Sequence, residues 1–364
     1  MNRAALLAVL IAAVATHPAA AGEFVREELR IPFAAAGPRG LEAVLIRPAG
    51  TARYPLALIS HGAPREADKR PGMTPNRFYA QEVEFARRGF AALVVMRRGY
   101  GNSGGDYAEN SGPCNRRNYL IAAKASVSDL RAAIDAMTRR SDVTTQGMIA
   151  VGISAGGYAS VALTADPPPG LVAAISFAGG RGSRADDDVC DEDALVRAFG
   201  TFGKTSRIPM LWVYAANDKY FGPQLAHRLH GAFTAAGGRA QFIDAPAFGA
   251  DGHSLFAAGV PIWIPMVDAF LREQNLGTHE LLPAPVAALP PPPRLSEKGR
   301  TGFAAYLAAG PHKVFAVSPK GGFAYRSGLR TAAEALSATL DACARLAREC
   351  APYSIDDELV KNGN

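Results

Sequence analysis

The sequence predicts a large α/β domain, in which helices cover both faces of a mostly parallel sheet, followed by a small α+β module. Between residues 41 and 272, short apolar runs alternate with longer amphipathic stretches, which is typical of buried parallel strands joined by helices. A proline-rich stretch then interrupts this alternation. The chain has 364 residues, of which 48% are hydrophobic and 20% charged. It can therefore bury a core, and a disordered or polytopic membrane protein is excluded.

The apolar runs and amphipathic stretches define the predicted elements of the large domain. The predicted strands are residues 24–31, 41–47, 56–59, 90–96, 148–153, 171–177, 210–215 and 240–244. The predicted helices are residues 76–88, 119–139, 156–165, 192–202, 223–236 and 261–272. In the fifth of these helices, Leu225, Leu229 and Phe233 fall on one face, as the helical period requires.

The N-terminal residues predict a secretory signal peptide at 1–21 rather than part of the fold. A positive head ending at Arg3 precedes an apolar run at residues 4–15, and three alanines at 19–21 provide a cleavage site. A bilayer crossing needs about 20 apolar residues, so the run is too short for an anchor; the alternative is a buried N-terminal helix. We therefore expect a secreted or periplasmic protein without stable membrane insertion.

These features divide the rest of the chain into three parts. They are an α/β domain at 22–276, a proline-rich linker at 277–300 and a small α+β module at 301–364. In the module, apolar residues 314–317 and 323–326 flank a glycine-containing turn and predict a hairpin. A helix is predicted at 332–347, and a last strand is predicted near Tyr353.

Four cysteines follow the predicted cleavage point, and an exported chain meets an oxidising compartment. Of the three possible pairings, we expect Cys114–Cys190 and Cys343–Cys350, because each pair then stays inside one module. Seven helical residues span about 10.5 Å, beyond the roughly 7 Å that a disulfide allows between Cα atoms. The helix that carries Cys343 must therefore end before Cys350.

The most specific motif is Gly152-Ile153-Ser154-Ala155-Gly156, where a predicted strand turns into a helix. In that position the G-x-S-x-G pattern is a nucleophile elbow, a strained turn that exposes the serine hydroxyl above the sheet. Glycines flank the serine because a Cβ would collide with the neighbouring strand and helix. Ser154 is therefore the predicted nucleophile, and the alternative is a structural serine in a glycine-rich turn.

A serine hydroxyl needs a base within hydrogen-bond reach and a third group that orients the base. After such an elbow, the acid and then the histidine follow the serine along the chain. Of the seven histidines, only His253 follows the serine in a loop between the last strand and the last helix of the domain. The others precede the serine or lie in the predicted linker, end module or a helix.

Two carboxylates compete for the role of the acid. Asp218 follows the strand predicted at 210–215, whereas Asp251 is only two residues from His253. We predict Asp218, because a side chain from a different strand end can meet the far nitrogen of the imidazole.

Acyl transfer also needs backbone N–H donors aimed at the developing negative charge. Ala155, directly after the serine, is one predicted donor, and Ala63, in the loop after the third strand, is the other. His61 in the same loop is expected to make structural hydrogen bonds. Arg98 and Tyr100, with Tyr220 after the acid, are the residues that we expect to contact substrate.

Other patterns predict no cofactor, metal or nucleic-acid partner. Residues 99–104 match the dinucleotide-binding G-x-G-x-x-G, but no helix pattern opens after them. Residues 186–193 hold six carboxylates without the spacing of a calcium loop, which favours a solvated loop before a helix. Zinc-binding motifs do not occur, and the net charge of +6 comes without a basic block.

From about residue 23 to residue 274, the chain resembles the α/β-hydrolase superfamily, and within it the dienelactone-hydrolase-like and prolyl-oligopeptidase-like branches. The resemblance rests on residues 61–64, 97–103, 152–157, 217–221 and 251–253. It implies hydrolysis of an ester, lactone or peptide through an acyl-enzyme. Dienelactone hydrolases carry cysteine where this chain has Ser154, and oligopeptidases usually carry a large N-terminal propeller.

The sequence as a whole predicts a secreted serine hydrolase that cleaves small carboxylic esters and needs no cofactor. The insert at about 179–207 is too short for a large lid, so we expect an open site. One alternative is a peptidase with the same residues. A second is a non-catalytic binding protein built on the same scaffold. The oligomeric state is not predicted.

Overall fold

The computed structural model describes residues 24–278 and 280–360, so the predicted signal peptide at 1–21 lies outside the described residues. The strands are β1 (Phe24–Ile31), β2 (Leu41–Pro48), β3 (Tyr54–Ser60), β4 (Ala91–Val95), β5 (Val143–Ile153), β6 (Leu171–Phe177), β7 (Ser183–Ala185), β8 (Asp188–Val189), β9 (Met210–Ala215), β10 (Ala240–Ala245), β11 (Val314–Val317), β12 (Phe323–Arg326), β13 (Ala351–Ile355) and β14 (Glu358–Leu359). The helices are α1 (Tyr79–Arg87), α2 (Tyr119–Met137), α3 (Ala155–Thr164), α4 (Glu192–Gly203), α5 (Pro223–Ala235), α6 (Leu255–Ala258), α7 (Val260–Glu273), α8 (Glu297–Ala308) and α9 (Ala332–Ala344).

Eight strands form one twisted sheet in the order β1-β2-β4-β3-β5-β6-β9-β10. β2 is antiparallel to both of its neighbours, and the strands from β4 to β10 pair in parallel. The predicted fold class is therefore confirmed, and all eight predicted strands of the large domain are present.

The sheet is buried on both faces because successive side chains of its strands point to opposite sides. In β3, Leu56 and Leu58 pack into one apolar cluster with α2, α3, α4 and α5. Ala57 and Ile59 pack into the other cluster, which includes Phe85 of α1 and residues of α6 and α7. This two-sided burial explains why the strands read as continuous apolar runs in the sequence.

Parallel pairing places the carboxyl ends of β3, β5, β9 and β10 at one edge of the sheet. The loops that follow these strands carry Ala63, Ser154, Asp218 and His253 in turn. In open α/β sheets, ligands bind at this edge. The topology therefore gathers the predicted site residues from four separate segments of the chain.

The segment between β6 and β9 contains a hairpin that the sequence pattern did not predict and a capped helix that it did. Ser183–Ala185 and Asp188–Val189 form a short hairpin, β7 and β8, before α4. Asp191 caps α4 by accepting a hydrogen bond from the Ala194 N–H. The acidic run thus leads into a helix N-terminus, as expected.

The C-terminal module is a four-stranded antiparallel sheet in the order β12-β11-β13-β14, with α8 and α9. The predicted hairpin strands match β11 and β12 in full. α8 was not predicted; it begins at Glu297, inside the stretch assigned to the linker, and Ser296 caps it. α9 ends at Ala344, which allows Cys343 and Cys350 to pair with 6.0 Å between their Cα atoms.

Within residues 24–278 and 280–360, no single helix is long and apolar enough to cross a bilayer. One pair, Gly252–Ala258 with Val260–Glu273, reaches the required length and hydropathy only together, across a bend of 80°.

Candidate active site

Ser154 lies between β5 and α3 in a backbone conformation that residues other than glycine rarely adopt. Its φ is 56° and its ψ is −122°. Its N–H donates to the Phe177 carbonyl of β6 at 2.9 Å, and its own carbonyl accepts from the Tyr158 and Gly180 N–H groups. A non-glycine residue in such a region costs about 1–3 kcal/mol, which the surrounding hydrogen bonds offset. This is the geometry that the elbow motif predicts.

The flanking glycines are required because the turn is packed on both sides. A Cβ on Gly152 would lie 2.2 Å from the Gly156 carbonyl oxygen, and one on Gly156 would lie 1.9 Å from the Ser60 carbonyl oxygen. Both distances are far inside van der Waals contact with backbone atoms. The elbow therefore tolerates no side chain at these two positions.

The imidazole of His253 faces the carboxylate of Asp218. His253 Nδ1 is 3.0 Å from Asp218 Oδ2 and 3.2 Å from Oδ1. The carboxylate is buried, and its Oδ1 also accepts hydrogen bonds from the Tyr220 and Phe221 N–H groups, both at 2.8 Å. These hydrogen bonds fix the orientation of the carboxylate. The carboxylate can therefore hold the imidazole through Nδ1 and leave Nε2 free to accept a proton.

Asp251 contacts the backbone instead of the imidazole. Its Oδ1 accepts from the His253 N–H at 2.9 Å and from the Lys219 N–H at 3.1 Å. It thereby caps the short helical turn Gly252–Ser254 and joins two loops of the site. Of the two competing carboxylates, the structure brings Asp218 to the imidazole ring.

Tyr220 stacks on the imidazole and lies beside the cavity. The rings of Tyr220 and His253 are 3.9 Å apart and nearly parallel, at 10°. The Arg65 guanidinium lies 3.7 Å from the centre of the Tyr220 ring. Two groups cannot cover the centre of one face, so Tyr220 is sandwiched between them. Arg65, which sequence analysis missed, directly follows the 61–64 segment.

A cavity of about 140 Å³ lies beside Ser154 and is lined by Ala63, Ala155 and Tyr220. Within the described residues, neither the Ala63 N–H nor the Ala155 N–H donates a hydrogen bond. Ala155 is the first residue of α3, where backbone N–H groups have no partner inside the helix. Two free donors thus sit at the cavity that Ser154 lines.

The Ser154 hydroxyl makes no hydrogen bond to His253 or to any other described residue. The structure places the two residues on neighbouring loops at one sheet edge but does not join them directly. The hydrogen bonds of catalytic groups often tighten only when substrate binds.

Arg98 and Tyr100 do not line this cavity, so their prediction as substrate contacts is corrected. Arg98 turns toward α2, where its Nε is 2.6 Å from Asp129 Oδ1. Tyr100 is completely buried, and its hydroxyl donates to Glu109 at 2.8 Å. Both side chains contact buried carboxylates, Asp129 and Glu109, and these tertiary contacts cannot be inferred from loop position alone.

Glu109 is the centre of a buried network that sequence analysis missed. Its carboxylate accepts hydrogen bonds from Arg97, Tyr100, Ser126 and Arg181. Burial alone would raise the pKa of Glu109, but the charges of Arg97 and Arg181 hold that pKa well below its usual range. Glu109 is therefore a carboxylate with both oxygens occupied.

His61 is a structural residue, as its position in the loop suggested. It is completely buried; its Nε2 accepts from the Arg97 N–H at 3.0 Å, and its Nδ1 lies 2.6 Å from the Gly62 carbonyl oxygen. Burial and the charge of Arg97 lower the pKa of His61 well below its usual value. The ring is neutral and supports the loop that carries Ala63.

Both predicted disulfides are present. Cys114–Cys190 closes a separation of 76 residues and joins the loop before α2 to the segment before α4. Cys343–Cys350 spans seven residues at the end of α9. Two disulfides fit an oxidising compartment.

Comparison with known proteins places the site in a hydrolase context. A family model described as X-Pro dipeptidyl-peptidase (S15 family) matches residues 37–208, which include Ser154. No curated protein sequence gives a match.

Solved structures of low sequence identity are similar to part of this chain. An acylaminoacyl peptidase in complex with Z-Gly-Gly-Phe-chloromethyl ketone is 13% identical with a TM-score of 0.50, over 72% of this chain and 43% of its own. The chain thus spans less than half of that relative. A putative dienelactone hydrolase from Klebsiella pneumoniae is 16% identical (TM-score 0.47), over 69% of this chain and all of its own. The butyrate-bound Est2 esterase from Thermogutta terrifontis is 18% identical (TM-score 0.48), over 70% of this chain and 95% of its own.

Proposed function

We propose that this chain, which has the α/β-hydrolase fold, is a serine hydrolase that cleaves small carboxylic esters through an acyl-enzyme. Ser154 Oγ attacks the ester carbonyl while His253 Nε2 takes the hydroxyl proton. The same imidazolium then gives that proton to the departing alkoxide as the ester C–O bond breaks. Water repeats the sequence on the acyl-enzyme, which releases the acid and restores Ser154.

Asp218, Ala63 and Ala155 orient the base and stabilise the charges that develop during the reaction. Asp218 holds the imidazole through Nδ1 and stabilises the imidazolium. The Ala63 and Ala155 N–H groups stabilise the tetrahedral oxyanion, which is usually the largest electrostatic contribution in acyl transfer. Binding of substrate draws Ser154 and His253 into contact.

One observation carries this proposal: the strained Ser154 lines the same cavity as two backbone N–H groups that donate to no other described residue. Strain at φ 56° is difficult to explain for a structural serine. Ester substrates with short acyl groups fit best, because about 140 Å³ is below the range of about 300–1,000 Å³ that encloses drug-sized ligands.

We propose export as the setting of this activity, on the basis of the predicted signal peptide at 1–21 and the two disulfides. The proposed partner is a small-molecule ester; neither nucleic acid nor a membrane enters the proposal. The proline-rich segment at 277–300 is proposed to connect the hydrolase domain at 22–276 to the module at 301–364.

The test is hydrolysis of p-nitrophenyl esters of increasing chain length, with labelling by a fluorophosphonate. Fluorophosphonate should label the wild-type protein. The wild-type protein should hydrolyse short esters, from acetate up to butyrate, better than longer esters, because the cavity is small. Ser154→Ala should lose the label and lower kcat by at least about 10³-fold. A wild-type protein that is neither labelled nor active would contradict the proposal and favour a non-catalytic binding protein.

A peptidase is the second candidate, because the matching family model describes an X-Pro dipeptidyl-peptidase. It would use the same Ser154, His253 and Asp218. Wild-type kcat/KM should be compared between p-nitrophenyl esters and aminoacyl p-nitroanilides of equal size. A preference for the anilides, after correction for their lower intrinsic reactivity, would select the peptidase.

A further inference from the structure

The charged residues of the cavity beside Ser154 are unbalanced toward positive charge. Among the described residues, three arginines line it, Arg65, Arg117 and Arg181, and Glu109 is the one carboxylate in the lining. Arg181 is buried and pairs with Glu109, whereas Arg65, with about a sixth of its side chain exposed, pairs with Asp186 at 3.0 Å, so the Arg117 guanidinium supplies the unpaired positive charge. Charges in such a partly enclosed site interact more strongly than on an open surface.

Glu109 cannot accept a further hydrogen bond from a ligand without losing one that it already makes. Its Oε1 accepts from Ser126 Oγ at 2.7 Å as well as from Arg97 Nε. Its Oε2 accepts from Tyr100 Oη and from Arg181 Nη1, both at 2.8 Å. The cavity therefore offers no free carboxylate to a ligand ammonium group.

The Arg117 guanidinium has no carboxylate partner among the described residues, although the Arg117 backbone N–H donates to Asp191 Oδ2 at 3.2 Å. Its Nη1 donates to the Gly112 carbonyl at 2.6 Å, and its Nη2 lies 3.7 Å from Cys190 Sγ. Its Nε is buried and makes no hydrogen bond to any described residue. Each Nη group also carries a second N–H that no described residue accepts, so the guanidinium can still donate to an anion bound in the cavity.

We propose that this cavity binds a carboxylate and that the preferred substrates are short esters bearing a free carboxylate near the scissile bond, such as monoesters of four-carbon dicarboxylic acids. The inference rests on the proposed function, because it places the anion beside the same Ser154. Arg117 is the main contact of the bound carboxylate. Arg181 adds positive charge to the cavity, while its guanidinium stays hydrogen-bonded to Glu109. A guanidinium matches a carboxylate in both charge and planar geometry.

The size of the cavity supports this substrate class over larger anions. About 140 Å³ suits an acyl chain of a few carbons but not a nucleotide or an oligosaccharide. The positive charge also disfavours substrates with a free amino group, which an aminopeptidase must bind at this position.

The experiment compares kcat/KM for monoethyl succinate and ethyl butyrate, two esters of matched length, by alkali titration. In wild type, the succinate monoester should be preferred. In Arg117→Gln, the ratio of the two kcat/KM values should fall about 10- to 100-fold, as expected for a lost hydrogen bond to a charged group. Arg116→Gln is the matched control, because Arg116 is exposed and does not line the cavity; its ratio should equal that of wild type.

The outcome separates the two proposals. Hydrolysis of both esters without a preference in wild type, or an equal ratio in wild type and Arg117→Gln, would overturn the inference and leave the proposed function standing. Absence of hydrolysis in wild type contradicts the proposed function, and the cavity is then tested by calorimetry with succinate. Succinate should bind wild type more tightly than Arg117→Gln.

If Arg117→Gln does not fold, a measurement on the wild-type protein alone still tests the inference. Succinate should inhibit p-nitrophenyl acetate hydrolysis competitively, and its uncharged analogue succinamide should not. Equal inhibition by the two compounds overturns the anion site. Stronger inhibition by inorganic phosphate than by succinate overturns the choice of a carboxylate.

Discussion

Asp218 and Asp251 differ in what their oxygens contact, although both lie close to His253. Asp218 reaches the ring nitrogen from the end of β9, and two backbone N–H groups fix its orientation. Asp251 uses its carboxylate to hold the backbone of its own loop. At the scale of a residue, a carboxylate thus orients the imidazole when it follows β9 and holds the loop backbone when it follows β10.

Replacement of these two aspartates should separate orientation of the base from stability of the loop. Asp218→Asn should lower kcat on p-nitrophenyl acetate by about 10³- to 10⁴-fold with little change in KM, because the imidazole loses its orienting charge. Asp251→Asn is the control; it should retain most activity and lose less than about 0.5 kcal/mol of stability, because an asparagine oxygen caps a helical turn about as well as an aspartate oxygen. Loss of turnover in Asp251→Asn but not in Asp218→Asn would reverse the assignment.

Glu82 of α1 is a second residue whose surroundings decide its behaviour. It is completely buried, and neither carboxylate oxygen accepts a hydrogen bond of normal geometry within the described residues. Burial therefore raises the pKa of Glu82 well above its usual value. The folded protein binds this proton more tightly than the unfolded chain does.

The raised pKa predicts a pH-dependent loss of stability. Below the unfolded pKa the contribution of Glu82 is fully present, and it is lost as the pH rises toward the folded pKa, by up to about 1.4 kcal/mol per pH unit. Glu82→Gln removes this pH dependence. When the free energy of unfolding is measured with denaturant at pH 5 to 8, the variant should therefore become more stable relative to wild type as the pH rises. The exposed Glu273→Gln should follow wild type. A constant difference between Glu82→Gln and wild type over this range would show that Glu82 does not titrate there.

At the scale of elements, the disulfide Cys114–Cys190 shapes one wall of the cavity. It joins the chain before α2 to the chain before α4, and Arg117 follows Cys114 by three residues. The Tyr119 hydroxyl donates to the Cys190 carbonyl and also lies at the cavity. The bond therefore holds two lining residues in place in addition to closing a long loop.

Removal of this disulfide should change substrate preference as well as stability. The double variant Cys114→Ser, Cys190→Ser should lower the succinate-to-butyrate ratio of kcat/KM and the free energy of unfolding by about 2–4 kcal/mol. Cys343→Ser, Cys350→Ser is the matched control: its loop spans only seven residues, so a smaller loss of stability and an unchanged ratio are expected. An unchanged ratio in the first variant would mean that the wall keeps its form without the bond.

At the scale of the whole molecule, polar contacts attach the C-terminal module to the large α/β domain. Arg330 Nη1 is 2.6 Å from Glu42 Oε1 of β2, and Arg330 Nη2 donates to the Met73 carbonyl at 2.6 Å. His312 lies 3.5 Å from Glu28 of β1, and its hydrogen bond is the main reason that the pKa of Glu28 falls to about 2. The module is therefore docked against the side of the sheet formed by β1 and β2.

Arg330→Gln should loosen this docking without touching the cavity. We expect about 1–3 kcal/mol of lost stability, seen as a lower Tm, because a half-buried charged pair and a backbone hydrogen bond are removed together. The kinetic constants on p-nitrophenyl acetate should not change. The exposed Arg326→Gln, with no such partner in the described chain, should leave Tm unaltered. An equal shift in both variants would exclude a specific role for Arg330.

The sequence alone was sufficient for the large elements. Buried parallel strands need continuous apolar runs, so β6 and β9 match their predicted bounds in full. It did not reveal α8 or the β7–β8 hairpin, because short polar elements lack a hydrophobic period and depend on capping and on neighbours. The prolines indicated the linker, but α8 begins at Glu297 within it and Ser296 caps this helix.

For the site, the sequence by itself predicted the turn that carries Ser154, since a side chain at Gly152 or Gly156 would collide with backbone atoms. Chain order and elimination selected His253, and the position of Asp218 after a different strand selected it over Asp251. Only the tertiary structure decided that Arg98 and Tyr100 face away from the cavity while Arg65, Arg117 and Arg181 face it. Local motifs are fixed by backbone geometry within a few residues, whereas the charge of a cavity depends on side chains that the fold brings together from distant segments.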